Sequence, residues 1–345
     1  MRSTFCLILT IALFTGCSQM RFFGIETFNP AEVTYPVEVK KVLIVNNAVP
    51  QPPDSGYKYF LMGEKQDTCR AQADSALFDA CRSLGQAIVE TDFFQDVLLF
   101  HENTRYDDSF LLDTKLSQED VISLCEETGA DAVISFDRLL FEMDKYITQS
   151  NDGYFLGLIN LKAKGIVRSY LPSRENPQAS ILVEDSLFWA EEAPNQTILN
   201  AILPLPDDAL RTAGDYIGGK VFTMFVPHWN RETRWYYTSN GARWKEASAF
   251  AANGKWENAL EKWTYIHERS SGWKNKAKTA ANIALVHELS GDMEKAIEWA
   301  DKASTLFKNN TPEDDKLRQY QEAYNAKIIE RVRNDKKLNL QFGKD

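Results

Sequence analysis

The sequence predicts an α+β domain, a mixed sheet with helices packed on one face, followed by an all-α helical-repeat domain. Three observations carry this. Residues 40–190 alternate β-branched runs with helical patterns in the order β-α-β-α-β-β-β. Pro227, in Val226-Pro227-His228-Trp229, stops the last helix of that half. Beyond it the apolar rhythm is helical throughout, punctuated by Gly254 and Gly291.

The chain opens with Arg2, an apolar run from Phe5 to Phe14, and Thr15-Gly16-Cys17. A bilayer-spanning helix needs roughly 20 apolar residues, so this run is too short to span but suits the core of a cleaved export signal. The small Gly16 before Cys17 is the pattern of a bacterial lipoprotein signal, with the Cys17 thiol carrying a diacylglyceryl thioether. At roughly 0.8 kcal/mol per buried CH₂, two or three acyl chains hold a protein on a membrane where one does not. Residues 18–39, with Pro30 and Pro36 and little periodicity, read as a tether.

The α+β domain spans 40–229. Lys40 to Val45 is its first strand, bounded by Asn46-Asn47 and by Pro50, Pro52 and Pro53. Leu77, Ala80, Cys81, Leu84, Ala87 and Ile88 share one face of a helix. Phe93 to Phe100 is a return strand. A short helix follows, capped by Ser117 and closed by Gly129, and feeds a long strand from Ala132 towards Met143. About Tyr154 to Leu171 and Ser180 to Ala190 form antiparallel strands, and about Asp207 to Phe225 a helix.

Residues 230–335 are helical and repetitive, and 336–345 a tail. Gly254-Lys255-Trp256-Glu257-Asn258-Ala259-Leu260 and Gly291-Asp292-Met293-Glu294-Lys295-Ala296-Ile297 share a turn glycine, a large apolar residue two on and an alanine five on, at an interval of 37 residues. Ala247, Ala284 and Ala303 extend the pattern. With a repeat of ~34 residues in the tetratricopeptide family, this region resembles that family. Trp263 and Ile266 depart from its pattern, and no proline closes either repeat. A long amphipathic helix from Glu313 to about Val332 caps the stack. In that family the first helix of each pair lines an inner groove, so the resemblance places Trp244, Ser248, Lys278, Leu285 and Glu288 on a partner-binding concave side. Alternatively, a stack of two repeats is too shallow to bind and docks on the α+β domain.

Composition narrows the chemistry. A formal net charge of -10 without a basic cluster argues against nucleic acid, whose affinity comes from Lys and Arg displacing counterions. With Cys6 in the signal and Cys17 the lipid site, Cys69, Cys81 and Cys125 are too few for a disulfide framework and read as small thiols, although Cys81 with Cys125 stays open. His101, His228, His267 and His287 lack metal-ligand spacing, which gives no metal and no cofactor. Acidic doublets point apart and do not make an acid/base pair. Gly218-Gly219-Lys220 lacks the strand and loop of a phosphate site.

The lipobox Thr15-Gly16-Cys17, the strand entry Ala130-Asp131-Ala132-Val133-Ile134, Val226-Pro227-His228-Trp229 with Arg234, and the repeats together resemble an uncharacterised family of Bacteroidetes envelope lipoproteins. In these an α+β domain precedes a tetratricopeptide tail. The strand order is also similar to periplasmic domains of the curli-secretion lipoprotein and of the Tol translocation protein. The resemblance implies a non-enzymatic scaffold that binds an envelope protein, anchored through acylated Cys17 to the outer membrane. No acidic run follows Cys17, which favours the periplasmic face. The alternative is an envelope hydrolase or glycan-binding protein with its site in the α+β domain.

Overall fold

The computed structural model describes residues 20–66, 69–105 and 109–344; the signal segment and Cys17 lie outside the described residues. The chain divides into two units, one of Phe28–His228 with Lys337–Asp345, the other of the segment up to Thr27 with Trp229–Lys336.

Strands β1 (Met20–Asn29), β2 (Lys41–Asn46), β3 (Tyr57–Leu61) and β4 (Glu64–Gln66) come first, then helix α1 (Asp74–Val89), β5 (Asp96–Asn103), α2 (Gln118–Thr128) and the 18-residue β6 (Ala132–Gln149). They are followed by β7 (Phe155–Tyr170), β8 (Ala179–Ala193), α3 (Gln196–Ile202) and α4 (Pro206–Val221). The last elements are β9 (His228–Tyr237), α5 (Ala242–Ala252), α6 (Trp256–Arg269), α7 (Trp273–Leu289), α8 (Met293–Asn310) and α9 (Lys316–Gln341).

The α+β unit is built on a mixed sheet of seven strands. Val42 to Val45 are all fully buried because β2 sits between β5 and β6, parallel to both, with helices over both faces. One edge of β6 serves β2 first, at Val42↔Ala132, and then β3, at Tyr57↔Met143; its other edge pairs antiparallel with β7. The β3–β4 hairpin turns through Met62 and Gly63, both at positive φ, as a two-residue turn requires. On one face α1 and α4 bury Ala76, Leu77, Ala80, Leu84, Ala209, Leu210 and Ala213. A Cβ on Gly214 or Gly218 would lie 2.1 Å from the carbonyl oxygens of Ala76 and Ala80. Only glycine lets these helices approach so closely, so Gly218 is a packing residue.

Three expectations need correction. Helices do not lie on one face only: α2 lies on the other, burying Val121, Leu124 and Cys125 with Leu43, Val45 and Val133. Its ends follow the sequence signals, with reciprocal Ser117 and Asp120 capping and Gly129 at φ 71°. Cys81 and Cys125 therefore lie on opposite faces of the sheet, both as free thiols. Nor is 18–39 a tether. Met20–Asn29 is a strand, and Val33 and Tyr35 are buried in the α+β unit, where the Tyr35 hydroxyl accepts from Ser169 Oγ at 2.8 Å. Finally, 336–345 is not a free tail. The buried Gln341 side chain accepts from Ala31 N at 3.1 Å and donates to the carbonyls of Ala31 and Val33 at 3.0 and 3.1 Å.

The second unit is helical from Ala242 on, with α5–α6 and α7–α8 as successive antiparallel pairs, and Gly254 and Gly291 at positive φ in the equivalent turns. Alanines 247, 251, 259, 284, 296 and 300 are buried at the helix contacts. β1 and β9 form a two-stranded sheet whose aromatic residues enter this core.

Candidate functional site

The five residues expected to line an open groove are 5%, 8%, 4%, 1% and 0% exposed, for Trp244, Ser248, Lys278, Leu285 and Glu288 in turn. The helices do bring them together, but around β9. The Asn282 side chain brackets one residue of that strand: Oδ1 accepts from Tyr237 N at 2.7 Å and Nδ2 donates to Tyr237 O at 2.8 Å. Lys278 Nζ donates to Thr238 O at 3.3 Å, and the Tyr236 hydroxyl to Ser248 O at 3.4 Å. Tyr236 lies in one apolar cluster with Trp244, Trp263 and Leu285. This surface is not open to another protein, because the chain supplies its own strand.

The anchor of that strand is ionic. Arg234 and Glu288 are both fully buried, joined by Nε and Nη2 contacts of 3.0 and 2.9 Å. Such a pair is tolerable in a dry interior only when its remaining donors and acceptors are satisfied. Tyr324 Oη and Arg331 Nη1 each donate to Glu288 at 3.0 Å, and Arg234 Nη1 reaches Glu232 at 2.8 Å. Burial raises the Glu232 carboxyl, but hydrogen bonds from Arg234, Thr27 and Lys327 outweigh it and hold the pKa at about 2. Burial, then the Glu288 charge, pushes the Tyr324 hydroxyl far above its ordinary range. Burial lowers Lys278, with nearby Lys274 adding to the shift.

In the α+β unit a crevice of about 630 Å³ opens beyond the carboxyl ends of β2 and β5, lined by Pro50, Gln51, Gln72, Asp74, Asn103 and Arg105. Parallel sheets commonly place ligands there. Here several of its polar groups serve the backbone. Gln51 donates to Ser55 O and Phe141 O at 2.7 and 2.8 Å and accepts from Phe141 N at 2.7 Å. Arg105 donates to the carbonyls of Leu112 and Ser109 at 3.1 and 3.3 Å. His101 lies in an adjoining space and faces the Phe78 ring at 6.2 Å. No group of three potential metal ligands occurs among the described residues.

Sequence reasoning missed Asp137. The β6–β7 register slips between Phe136 and Arg138, leaving Asp137 as an extra residue in a bulge that turns its carboxylate inward. Fully buried, it accepts from Asn47 Nδ2 at 2.9 Å, Arg168 Nη1 at 2.7 Å and the hydroxyls of Ser135 and Tyr170. Arg168 also binds Asp113 at 2.7 Å, lowering that carboxyl. The network pins the connection from β5 to α2 to the sheet.

The outermost strand of this unit has an exposed outer face. β8 pairs with β7 in unbroken register from Phe155↔Ala193 to Ser169↔Ala179, and no strand occupies its other edge among the described residues. Its inner side chains, Ile181, Val183, Leu187 and Trp189, pack on the core. On the outer face Leu182 and Phe188 are 70% and 73% exposed, with Lys164 and Glu184 paired between them at 3.3 Å.

A family model described as Domain of unknown function (DUF8603) matches residues 39–237. The chain belongs to the DUF8603 family. The DUF8603 match runs from just before β2 to the last residue of β9. A second model, Domain of unknown function (DUF6340), matches residues 245–328, from α5 into α9. No curated protein matches. Among solved structures, protein XCC0632 from Xanthomonas campestris, described under the family model DUF330, is 13% identical. That alignment covers 56% of this chain and 94% of the other, with a TM-score of 0.22.

Proposed function

We propose that this DUF8603 protein is a non-enzymatic envelope lipoprotein, held on the periplasmic face of the outer membrane by acylated Cys17, that binds an extended segment of a partner polypeptide along β8. The observation that carries the binding mode is the free edge of β8, 15 residues long. A long edge without a bulge or proline is a template for strand addition, with backbone hydrogen bonds giving affinity and alternating side chains giving specificity. Exposed Leu182 and Phe188 supply the apolar contacts. On the same outer face as Leu182 and Phe188, Glu184 and Glu192 favour a segment with basic residues at alternate positions. The lipobox and the absence of an acidic run after Cys17 support the anchor and its orientation. The tetratricopeptide-like pairs α5–α8 act in this reading as a clamp on β9.

The crevice at the carboxyl ends of β2 and β5 is the feature that favours the alternative, a glycan-binding or hydrolytic site. The experiment is in-cell photocrosslinking from residues 182 and 188, with residue 74 as the crevice probe. A discrete polypeptide adduct from the β8 positions, absent from residue 74, supports strand addition. Adducts confined to residue 74, or glycan-derived mass there, favour the alternative.

A further inference from the structure

We infer that the Phe22, Trp235 and Tyr320 cluster of the helical unit is a membrane-contacting surface that seats in the headgroup region of a zwitterionic phospholipid bilayer, beside acylated Cys17. The inference rests on the lipid-anchor reading above and adds a surface to it.

Chain length makes the first argument. β1 begins at Met20, so only Ser18 and Gln19 separate it from Cys17. At no more than ~3.6 Å per residue, Met20 lies within about 11 Å of an anchored Cys17, and Phe22 within about 18 Å. A tether reaching to residue 39 would have let the folded protein stand off the bilayer; a strand starting at Met20 keeps this part of it at the surface.

The side chains there are the second argument. Phe22 is 53% exposed and faces Trp235 and Tyr320 with ring centroids 6.1 and 6.0 Å away. Trp235 and Tyr320 meet edge-on at 5.3 Å, and Tyr320 is itself 38% exposed. Tyr and Trp, with an apolar body and a polar tip, settle at the membrane–water boundary, and a Phe beside them adds apolar surface to bury there. Met20, two residues earlier on the same face of β1, is buried, and Phe23, on the opposite face, lies 5.1 Å from Trp256. Phe22 is thus the exposed ring of this end of β1, with Trp235 and Tyr320 beside it.

Charge selects the lipid. The protein is strongly acidic, so anionic headgroups repel it at long range, and attraction depends on burying the rings in a neutral interface.

The test uses the mature chain, residues 17–345, with Cys17→Ser to remove the acyl chains, mixed with phosphatidylethanolamine–phosphatidylcholine vesicles. We expect cosedimentation that weakens about fivefold or more in Phe22→Ser and in Tyr320→Ser, and quenching of tryptophan emission by brominated acyl chains. Phe22→Trp is expected to bind at least as tightly as the parent, an outcome that misfolding does not produce. Association that is equal in all variants, or undetectable at millimolar lipid, overturns the membrane-contact surface. The anchor is read separately from the mass of the N-terminal peptide of the wild-type protein isolated from cells. A peptide without the diacylglyceryl mass overturns the anchor and the placement beside it, whatever the vesicles show.

Discussion

Asn282 holds Tyr237 by both of its backbone groups, at 2.7 Å from N and 2.8 Å to O, as a neighbouring strand would. A primary amide is the one uncharged side chain type that offers an acceptor and donors in this geometry. Asn282→Ala leaves both backbone groups buried and unpaired and is expected to destabilise the helical unit by about 2–4 kcal/mol. Asn282→Asp, which sets a buried carboxylate oxygen against the Tyr237 carbonyl, should cost at least as much as Asn282→Ala near pH 7. Urea denaturation followed by tryptophan fluorescence checks the order.

Removing Glu288 should be worse than removing both members of its pair. Glu288→Ala removes the acceptor of Nε and Nη2 of the fully buried Arg234 and leaves Glu232 to pair with Nη1, at an expected cost of about 3 kcal/mol. The double change Arg234→Met, Glu288→Leu should recover part of that loss. A double-mutant cycle on the urea midpoints measures it; equal losses in the single and double variants would contradict the assignment.

The helix contact between α1 and α4 makes a prediction of opposite sign to helix propensity. Alanine normally improves a helix over glycine by roughly 1 kcal/mol. At Gly214 or Gly218 the added methyl meets a backbone carbonyl at 2.1 Å, so each Ala substitution should destabilise the α+β unit by about 1–3 kcal/mol. Gly219→Ala, whose nearest neighbour is the Ser83 hydroxyl at 3.0 Å, is the milder control.

Acid sensitivity follows from Glu232, whose folded pKa of about 2 lies below its ordinary 4.5. A depressed carboxyl adds stability above the unfolded pKa, and that contribution is lost as pH falls from about 4.5 through about 2. Glu232→Gln should therefore be less stable than wild type near pH 7, with the difference shrinking towards pH 2. Denaturation midpoints across that range check the sign.

Much of the α+β unit was legible because local chemistry and tertiary structure agree there. Val42 to Val45 is a run that suits a central strand, and Ser117 with Gly129 brackets α2. That run also held the information that helices cover both faces, since an alternating pattern, not a continuous one, marks a sheet with one covered face. The Asp137 bulge was not legible: an extra residue in a ladder depends on the partner strand. The groove failed for a related reason. Trp244, Ser248, Lys278, Leu285 and Glu288 converge on one surface, but what covers it is Arg234 to Tyr237, a segment before the repeats whose strand partner, β1, lies about 200 residues away in sequence. Pro30 and Pro36, which made 18–39 look like a tether, both lie beyond the end of β1 and do not interrupt it.

The measurement that bears most directly on this account is native-state hydrogen exchange at the Tyr237 amide. If β9 fills the groove, this amide opens only when the helical unit unfolds, and it should be as protected as the interior amides of α7 around Ala280 to Ala284. Exchange faster than those amides by several orders of magnitude would mean that the strand leaves the groove readily. That result would contradict the account and return Trp244, Leu285 and Glu288 to the role of a partner-binding surface.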